Sequence, residues 1–251
     1  MRISVVIPCL NEEEYISETV KKIKESDFPS EDFEVVVSVD SATIDKTSEA
    51  ALKAGADRVV SNEEKGTSYT RQGGADAAKG EILAFLDADC RPPKDWLKKI
   101  WETFEADDDK ELGILSGPYR YYDLFFITRF FADVWQVAVM WIIMAADLFF
   151  KRKWAIAIGG NMAIRKTVLE SIGGFNKKFT FFGDDSDTAL RIRRAGYKTL
   201  FDRKLKVDSS ARRLKKKGLI RTAALYTAAY VKLYFGSTEP LKRDLDHKRI
   251  A

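Results

Sequence analysis

Histidine and cysteine are both scarce in this sequence, with one histidine and two cysteines among 251 residues. The histidine, His247, lies in a charged segment close to the C-terminal end, so catalysis by an imidazole base is not expected. Cys9 and Cys90 are far apart and too few for a disulfide framework or a structural zinc site, which indicates a reducing compartment. A reaction that needs a base must therefore take it from a carboxylate.

Long apolar runs and dense patches of positive charge are also missing. The most apolar stretch, Leu124–Phe150, is interrupted by Arg129, Asp133 and Asp147, so no unbroken part reaches the roughly 20 residues of a membrane-spanning helix. Met1-Arg2 leads directly into a strand-like run, and no secretory signal is expected. The net charge of +4 is too small for a typical nucleic-acid binder, so we expect no nucleic acid as a partner.

Short apolar runs alternate with helical periodicity along the chain. Strands are predicted at Ile3–Ile7, Glu34–Val39, Arg58–Val60, Ile82–Leu86, Leu112–Ser116 and Met162–Arg165. Helices are predicted at Glu13–Lys24, Lys46–Ala54, Ser68–Ala78, Lys94–Glu105, Lys166–Ile172 and Asp187–Arg194. Strands alternating with helices predict an α/β fold in which a mostly parallel sheet is covered by helices on both faces.

Two further stretches have the composition of amphipathic helices. Leu124–Phe150 is rich in Phe and Trp and is followed by Arg152-Lys153, so we expect a helix on a membrane surface or partly tucked into the protein. A buried core helix or a dimer interface is the alternative. Gly218–Phe235 carries tyrosines at four-residue spacing, which suits either a second interfacial helix or an ordinary packing stripe. We thus expect a catalytic domain in residues 1–213, with a surface segment at 124–153, and an amphipathic helix with a basic tail in residues 214–251.

Acidic residues follow two of the predicted strands. Asp40 comes after the second strand, and Asp87-Ala88-Asp89 follows Ile82–Leu86. Ligands of open α/β sheets bind beyond the carboxyl ends of the strands, and Mg²⁺ or Mn²⁺ commonly takes one or two carboxylates plus substrate phosphates. The pair therefore indicates a metal and phosphate site, although an Asp-x-Asp by itself equally fits a solvated acidic turn. Asp45, also nearby, fits either a ligand contact or a helix cap.

Four segments in order resemble glycosyltransferase family 2. They are VVIPCLNEEEYI, VDSATIDKT, TRQGGADAAKGEILAFLDAD, and GGNMAIRKTVLESIGGF followed by GDDSDTALRIRRAGY. Ser41 stands where a second Asp is common in the family, and Gln72 where Asn is usual. The resemblance spans Arg2 to about Arg213, and it implies the A-type nucleotide-diphospho-sugar transferase fold (GT-A) and an enzyme with Mn²⁺ or Mg²⁺ as cofactor.

The resemblance also implies a donor site. Its residues would be Pro8, Asn11, Glu12, Asp40, Lys65, Arg71, Asp87, Ala88 and Asp89. Asp40 would contact the donor base, Asp87 the ribose or the metal, and Asp89 would be the main metal ligand. Arg71 and Lys65 would lie near the nucleotide, although an exposed lysine is more often only solvated.

A second acidic group stands where the family carries its catalytic carboxylates. The resemblance makes Asp185 the general base and gives Asp184 a lesser catalytic part. Adjacent carboxylates raise each other's pKa, which helps one of them accept a proton near neutrality. The alternative is an ordinary helix N-terminus, where the helix dipole favours acidic residues. The family is inverting, so an α-linked donor would give a β-linked product.

The acceptor side is described less fully by the sequence. Gly160 and Asn161 lie in the acceptor-side segment, and Arg212 or Arg213 could bind the donor diphosphate or a lipid phosphate, since Arg binds phosphate bidentately. A basic surface stretch is the alternative for both arginines. The Gln-x-x-Arg-Trp motif of processive synthases is missing, which favours transfer of a single sugar.

The substrates follow from similarity to membrane-associated polyprenyl-phosphate and glycolipid glycosyltransferases. It favours GDP-mannose as donor, with UDP-glucose as the alternative, and a lipid-linked or glycan acceptor. We expect a peripheral protein on the cytoplasmic face of the cell membrane. An appended membrane domain after Lys242-Arg243 is compatible with the sequence.

Two other classes of protein are disfavoured. A sugar nucleotidyltransferase would carry a glycine-rich loop after the first strand, where Pro8-Cys9-Leu10-Asn11-Glu12 stands instead. A non-catalytic membrane scaffold would be expected to lose the acidic residues, and all of them are present.

Overall fold

The computed structural model describes residues 1–150, 155–179 and 183–218, together with residues 221, 222, 224, 227 and 228. The strands are β1 (Ile3–Cys9), β2 (Phe33–Val39), β3 (Arg58–Ser61), β4 (Ile82–Leu86), β5 (Cys90–Arg91), β6 (Leu112–Ser116), β7 (Tyr119–Tyr121), β8 (Asn161–Arg165), β9 (Lys198–Phe201) and β10 (Val207–Ser209). The helices are α1 (Ile16–Lys24), α2 (Thr47–Lys53), α3 (Thr67–Ala77), α4 (Trp96–Glu105), α5 (Phe126–Phe150), α6 (Lys166–Ser171), α7 (Asp184–Arg194) and α8 (Arg212–Lys217).

The central sheet has seven strands in the order β3-β2-β1-β4-β8-β6-β9. β1 pairs in parallel with β2 and β4, and β3 extends this parallel part on the β2 side. β8 runs antiparallel between β4 and β6. The mostly parallel α/β sheet that the sequence predicts is therefore confirmed. A separate three-stranded sheet, β5-β10-β7, was not predicted, because its strands have only two or three residues each.

The sheet separates two apolar cores. Successive side chains of a strand point to opposite faces, so Val5 and Ile7 of β1 enter one core and Val6 enters the other. α1, α2 and α4 cover the first face, and α3, α6 and α7 cover the second. Every residue of β2 and β4 is buried, which accounts for the continuous apolar run of β4 and the largely apolar sequence of β2.

Helix α7 begins earlier than predicted. The predicted start at Asp187 is wrong, because the helix begins at Asp184, directly after Gly183 in a left-handed conformation with φ 89°. Glycine adopts this conformation without the steric cost that a Cβ imposes. Asp184 and Asp185 consequently lie in the first turn, where the helix dipole favours negative charge.

Helix α5 has one buried and one exposed face. Ala132 is buried, whereas Phe126 and Phe130 on the opposite face are 74% and 56% exposed. No helix within the described part of the chain is both long and apolar enough to cross a bilayer. Arg152-Lys153 and most of the predicted helix Gly218–Phe235 lie outside the described residues.

Candidate active site

A cleft of about 390 Å³ opens where the parallel strands end. Asn11, Asp40 and Asp87 line it from the segments that follow β1, β2 and β4. Asp184 and Asp185 line it from the first turn of α7. The fold thus gathers acidic groups that are far apart in sequence into a single cleft, at the edge where ligands of open α/β sheets bind.

Asn11 and Asp40 hold the loops at one end of the cleft. Asn11 has a left-handed backbone with φ 53°, which asparagine tolerates better than most residues, and its Oδ1 accepts the Ile44 N–H at 2.9 Å. Asp40 Oδ1 accepts the Ala42 N–H at 2.8 Å, and its Oδ2 accepts the Gly66 N–H at 2.7 Å. Both predicted donor contacts therefore also fix the shape of the cleft.

Asp87 is held from two sides. The Tyr119 hydroxyl donates to Asp87 Oδ2 at 2.9 Å, and Arg71 Nη2 lies 3.7 Å from Asp87 Oδ1. Burial, reinforced by the charge of Asp87, raises the pKa of Tyr119 well above its ordinary value, so the hydroxyl keeps its proton and donates. Gly160 also lines the cleft, and a Cβ there would lie 2.1 Å from the Tyr119 oxygen and 2.2 Å from Asp87 Cγ.

Asp89 is covered by an arginine. Arg212 donates from Nε to Asp89 Oδ2 at 2.8 Å and from Nη2 to Glu12 Oε1 at 2.5 Å. The guanidinium also lies 4.5 Å from the centre of the Tyr15 ring. Asp89 is 8% exposed and is not among the residues that line the cleft, whereas Arg212 and Arg213 are. A cation that binds Asp89 Oδ2 would therefore compete with Arg212.

The donor set around Arg212 suits a hard divalent cation. Glu12 Oε2 is buried and has no hydrogen-bond partner, and burial raises the pKa of Glu12 to about 7. Burial likewise raises the pKa of Asp89, against the lowering effect of Arg212. Within the described ranges, no three His, Cys, Asp or Glu side chains form a cluster that could hold a metal. Asp87 and Asp89 would thus share an ion with the oxygens of a bound phosphate and water, as Mg²⁺ and Mn²⁺ sites commonly do.

Arg71 connects the two acidic groups of the cleft. Its guanidinium forms a buried ion pair with Asp184 and also faces Asp87. Breaking one partner out of a buried ion pair typically costs about 3–5 kcal/mol, because the remaining charge is left without compensation. The buried pair therefore fixes the start of α7 next to the end of β4.

Asp185 has the surroundings of a group that can accept a proton. Its Oδ2 accepts the Gly159 N–H at 2.9 Å, and its Oδ1 accepts the Ser186 N–H at 2.7 Å. Burial and the neighbouring charge of Asp184 raise the pKa of Asp185 to about 6. A general base works best when its pKa is near the working pH, so Asp185 is suited to that role in the cleft.

Besides Asp89, three predicted site residues do not line the cleft. Lys65 is exposed to solvent. Asn161 is fully buried, and its side chain donates to the Leu205 and Pro118 carbonyls and accepts from Trp96 Nε1. Ala88 is buried as well. Internal hydrogen bonds occupy the amide of Asn161, so the geometry gives no support to its predicted acceptor contact, nor to the predicted donor contacts of Lys65 and Ala88.

Sequence reasoning missed the part of the cleft wall that α5 contributes. Trp135, Gln136 and Val139 line it from α5, with Ile156 and Ile158 beside them. The helical periodicity of α5 predicts which residues share a face, but not which face meets the cleft. Tyr119 was missed too, because it comes three residues after the end of β6 and no motif marks it.

The sheet order and the acidic cleft at its carboxyl edge agree with the GT-A fold of nucleotide-sugar transferases. The sequence profile of "Glycosyl transferase family 2" matches residues 4–173, and the chain belongs to this family. A second profile, the "N-terminal domain of galactosyltransferase", matches residues 142–218.

Proteins with similar sequences are named as glycosyltransferases. The chain is 26% identical to "Probable glycosyltransferase YdaM" of Bacillus subtilis (strain 168) over 212 residues, which is 80% of this chain and 48% of the relative. It is 33% identical to "Glycosyltransferase AglE" of Haloferax volcanii over 109 residues, 41% of this chain and 36% of AglE. The chain thus spans about half or less of the length of these relatives.

Solved structures agree with the fold. The mannosyltransferase PcManGT from Pyrobaculum calidifontis, in complex with GDP-Man and Mn²⁺, superposes with a TM-score of 0.71 at 26% identity, over 96% of this chain and 66% of that chain. Glucosyl-3-phosphoglycerate synthase from Mycobacterium tuberculosis superposes with a TM-score of 0.62 at 19% identity, over 96% of this chain and 80% of that chain. The second likeness bears on the fold alone.

Proposed function

We propose that this chain is a metal-dependent, inverting glycosyltransferase that moves a single hexose from a nucleotide diphosphate sugar to a lipid-linked or glycan acceptor at a membrane surface. GDP-mannose is the favoured donor, and mannose is the sugar transferred. The observation that carries the proposal is the single cleft that gathers Asp87 and Asp185, with Arg71 joining Asp87 to Asp184, the residue before Asp185. The GDP-Man and Mn²⁺ bound by the similar PcManGT support the choice of donor and metal.

The donor half of the reaction would use the end of β4. Asp87 and Asp89 would hold Mn²⁺ or Mg²⁺, which would neutralise the charge that develops on the departing nucleoside diphosphate. Arg212 would turn from Asp89 to the diphosphate, since guanidinium groups bind phosphate oxygens in pairs. Asn11 and Asp40 would meet the nucleoside at the far end of the cleft.

The acceptor half would use the first turn of α7. Asp185 would take the proton of the acceptor hydroxyl while the hydroxyl oxygen forms a bond to the anomeric carbon and the bond to the diphosphate breaks. If the base and the leaving group lie on opposite sides of the reacting carbon, as in a direct displacement, the configuration inverts. Asp184 is tied to Arg71, so its role would be to hold that arginine between the two halves.

Membrane contact would come from the outer face of α5. Phe125, Phe126 and Phe130 are exposed there, and exposed apolar patches of this kind mark interaction surfaces. Lys204 and Lys206, in the loop between β9 and β10, are also exposed and could meet anionic headgroups. Since the opposite face of α5 lines the cleft, a lipid-linked acceptor could reach Asp185 from the bilayer. Relatives such as the "Dolichol-phosphate mannosyltransferase" of Pyrococcus furiosus, 28% identical over 116 residues, support such an acceptor.

The test is a transfer assay with GDP-mannose and UDP-glucose, each with Mn²⁺, and with polyprenyl-phosphate and glycolipid acceptors in liposomes. We expect nucleoside diphosphate release from GDP-mannose that depends on an acceptor and stops with EDTA. Asp89→Ala should abolish it. The proposal fails if neither donor is bound or turned over, or if Asp89→Ala behaves like the wild-type protein.

A further inference from the structure

We infer that Tyr119 is a positioning residue for the metal-binding carboxylate Asp87, and that its hydroxyl sets the carboxylate geometry on which cation affinity depends. This inference rests on the proposed function, because it assumes that Asp87 binds a cation together with the donor. It concerns a residue of β7, a strand outside the central sheet.

The contact between the two side chains has a fixed direction. Tyr119 donates its hydroxyl proton to Asp87 Oδ2 at 2.9 Å, and an ionised carboxylate can only accept. Oδ1 of the same carboxylate faces Arg71 at 3.7 Å, too far for a direct hydrogen bond. The hydroxyl therefore occupies one lone pair of Oδ2, and Asp87, which lines the cleft, keeps further acceptor sites.

Tyr119 itself has little freedom to move. Gln136 of α5 accepts the Tyr119 backbone N–H at 3.1 Å and donates to the Tyr119 carbonyl at 3.2 Å. On the other side, Tyr119 pairs with Val207 of β10. The two hydrogen bonds to Gln136, which we call the Gln136 clamp, and the pairing with β10 fix the backbone of Tyr119. The position of the hydroxyl is therefore set before any ligand binds.

The neighbouring glycine closes the remaining space. A Cβ at Gly160 would lie 2.1 Å from the Tyr119 oxygen and 2.2 Å from Asp87 Cγ, so the peptide of Gly160 packs directly against both groups. The Gly160 carbonyl also accepts the Asp87 N–H at 3.3 Å. Asp87 therefore cannot swing towards β8, and Tyr119 and Gly160 together allow it one orientation.

Hydrogen-bond partners of a metal ligand strongly affect metal binding, and their loss typically costs about 10- to 100-fold in affinity. The same contacts connect α5 to Asp87 through Gln136 and Tyr119. A change on the cleft side of α5 is thus expected to reach the donor site through the hydroxyl of Tyr119.

The experiment compares Mn²⁺ binding in the presence of GDP for the wild-type protein, Tyr119→Phe and the control Tyr197→Phe, by titration calorimetry. Tyr197 packs against the core on the far side of the sheet, so its variant also loses one phenol hydroxyl but should bind Mn²⁺ as the wild type does. Tyr119→Phe should bind Mn²⁺ about 10- to 100-fold more weakly, with its ligand-free melting temperature unchanged. At saturating Mn²⁺ its kcat should return close to the wild-type value.

The variant Gln136→Leu gives a second measurement, because it keeps the Tyr119 hydroxyl and removes the Gln136 clamp. It should also weaken Mn²⁺ binding, but by less than Tyr119→Phe does. Wild-type affinity in Tyr119→Phe would overturn the inference and leave the proposed function standing. If Tyr119→Phe does not fold, wild-type affinity in Gln136→Leu would overturn it instead. A wild-type protein that binds neither GDP nor Mn²⁺ would overturn both.

Discussion

Asp185 combines two environments that oppose each other, since burial disfavours its charge while two backbone N–H groups stabilise it. The folded protein binds the Asp185 proton more tightly than the unfolded chain does, because the pKa of about 6 lies above the ordinary value of 3.8. The resulting stability is present at acid pH and is lost as the pH rises from about 4 through about 6. At neutral pH Asp185 is charged, as a general base must be, and holding that charge in a buried place lowers the stability of the fold.

Asp185→Asn should separate these two effects. We expect kcat to fall about 10²- to 10⁴-fold, while the free energy of unfolding at pH 7.5 rises by up to about 3 kcal/mol. The gain should vanish near pH 4, and the wild-type kcat should increase with pH through about 6. Transfer kinetics and urea unfolding at several pH values measure both.

Asp187→Asn is the matched control on the same helix. Asp187 pairs with Arg191 at 2.8 Å and does not line the cleft, so this variant should lower stability and keep its kcat. A catalytic role for Asp185 would be contradicted if Asp185→Asn kept wild-type kcat over the whole pH range.

Arg212 acts in the ligand-free protein as a cation at the place where a metal would bind Asp89. Arg212→Gln should therefore bind Mn²⁺ alone about 10-fold more tightly, because the competing guanidinium is gone. Its affinity for GDP should fall about 10-fold, because the bidentate phosphate contact is lost. Titration with Mn²⁺ alone and with GDP plus Mn²⁺ would detect these opposite changes.

Arg120→Gln provides the control for Arg212→Gln, since Arg120 forms an exposed ion pair with Asp208 away from the cleft. It should change neither affinity. A parallel loss of Mn²⁺ and GDP binding in Arg212→Gln would instead mean that Arg212 only stabilises the fold.

At the level of single residues, the sequence was most informative about the acidic side chains that follow buried strands. Asp40 and Asp87 were placed correctly in the cleft because the carboxyl ends of parallel strands share one edge. Asn161 lies outside the cleft, because an amide in a family motif can equally serve internal hydrogen bonds. Tyr119 was not found, since its contact with Asp87 joins strands of two different sheets.

Among the elements, α5 decides how the protein would meet a membrane. Trp135 lines the cleft whereas Phe126 and Phe130 face solvent, so the two phenylalanines are the residues to change. Phe126→Glu with Phe130→Glu should weaken binding to anionic liposomes about 100-fold. Each of the two aromatic side chains would contribute about 1.5 kcal/mol or more when it is buried in the bilayer. Vesicle sedimentation measures this, and the melting temperature should stay unchanged.

Leu52→Glu is the control for that double variant, since Leu52 is an exposed apolar residue of α2. It adds a negative charge away from α5 and should not affect liposome binding. Unfolding of the double variant would favour a core role for α5, and a change in its oligomeric state would favour a dimer interface.

Strand and helix positions were predictable where periodicity was strong. The boundaries of β4 and β6 match the predicted ones, because each is a buried apolar run between turn-forming residues. The direction of β8 was not predictable, since strand propensity is the same for parallel and antiparallel pairing. The start of α7 was missed by three residues because Gly183 and the acids after it resemble a loop.

At the scale of the whole molecule, donor binding should stabilise the fold. GDP-mannose with Mn²⁺ at 100 times its dissociation constant would add about 2.7 kcal/mol, which raises the melting temperature of a protein of this size by about 5–10 °C. UDP-glucose at the same concentration should give a smaller shift. Differential scanning fluorimetry across GDP-, UDP- and dTDP-sugars measures the preference.

Removal of the metal is the control for the donor screen. EDTA should abolish the shift, because Asp87 and Asp89 would then repel the diphosphate. A shift of equal size with EDTA would contradict a shared metal site, and a larger shift with UDP-glucose would reverse the choice of donor.

The sequence by itself determined the α/β class, the order of most strands and helices, and the acidic groups at the strand ends. It could do so because burial on both faces of a sheet and the scarcity of histidine are local properties of the chain. Only the tertiary structure decided that Arg212 covers Asp89, that Arg71 joins Asp87 to Asp184, and that one face of α5 closes the cleft. Each of these contacts joins segments that are distant in sequence, and the packing of the two sheets and their helices fixes which side chains meet.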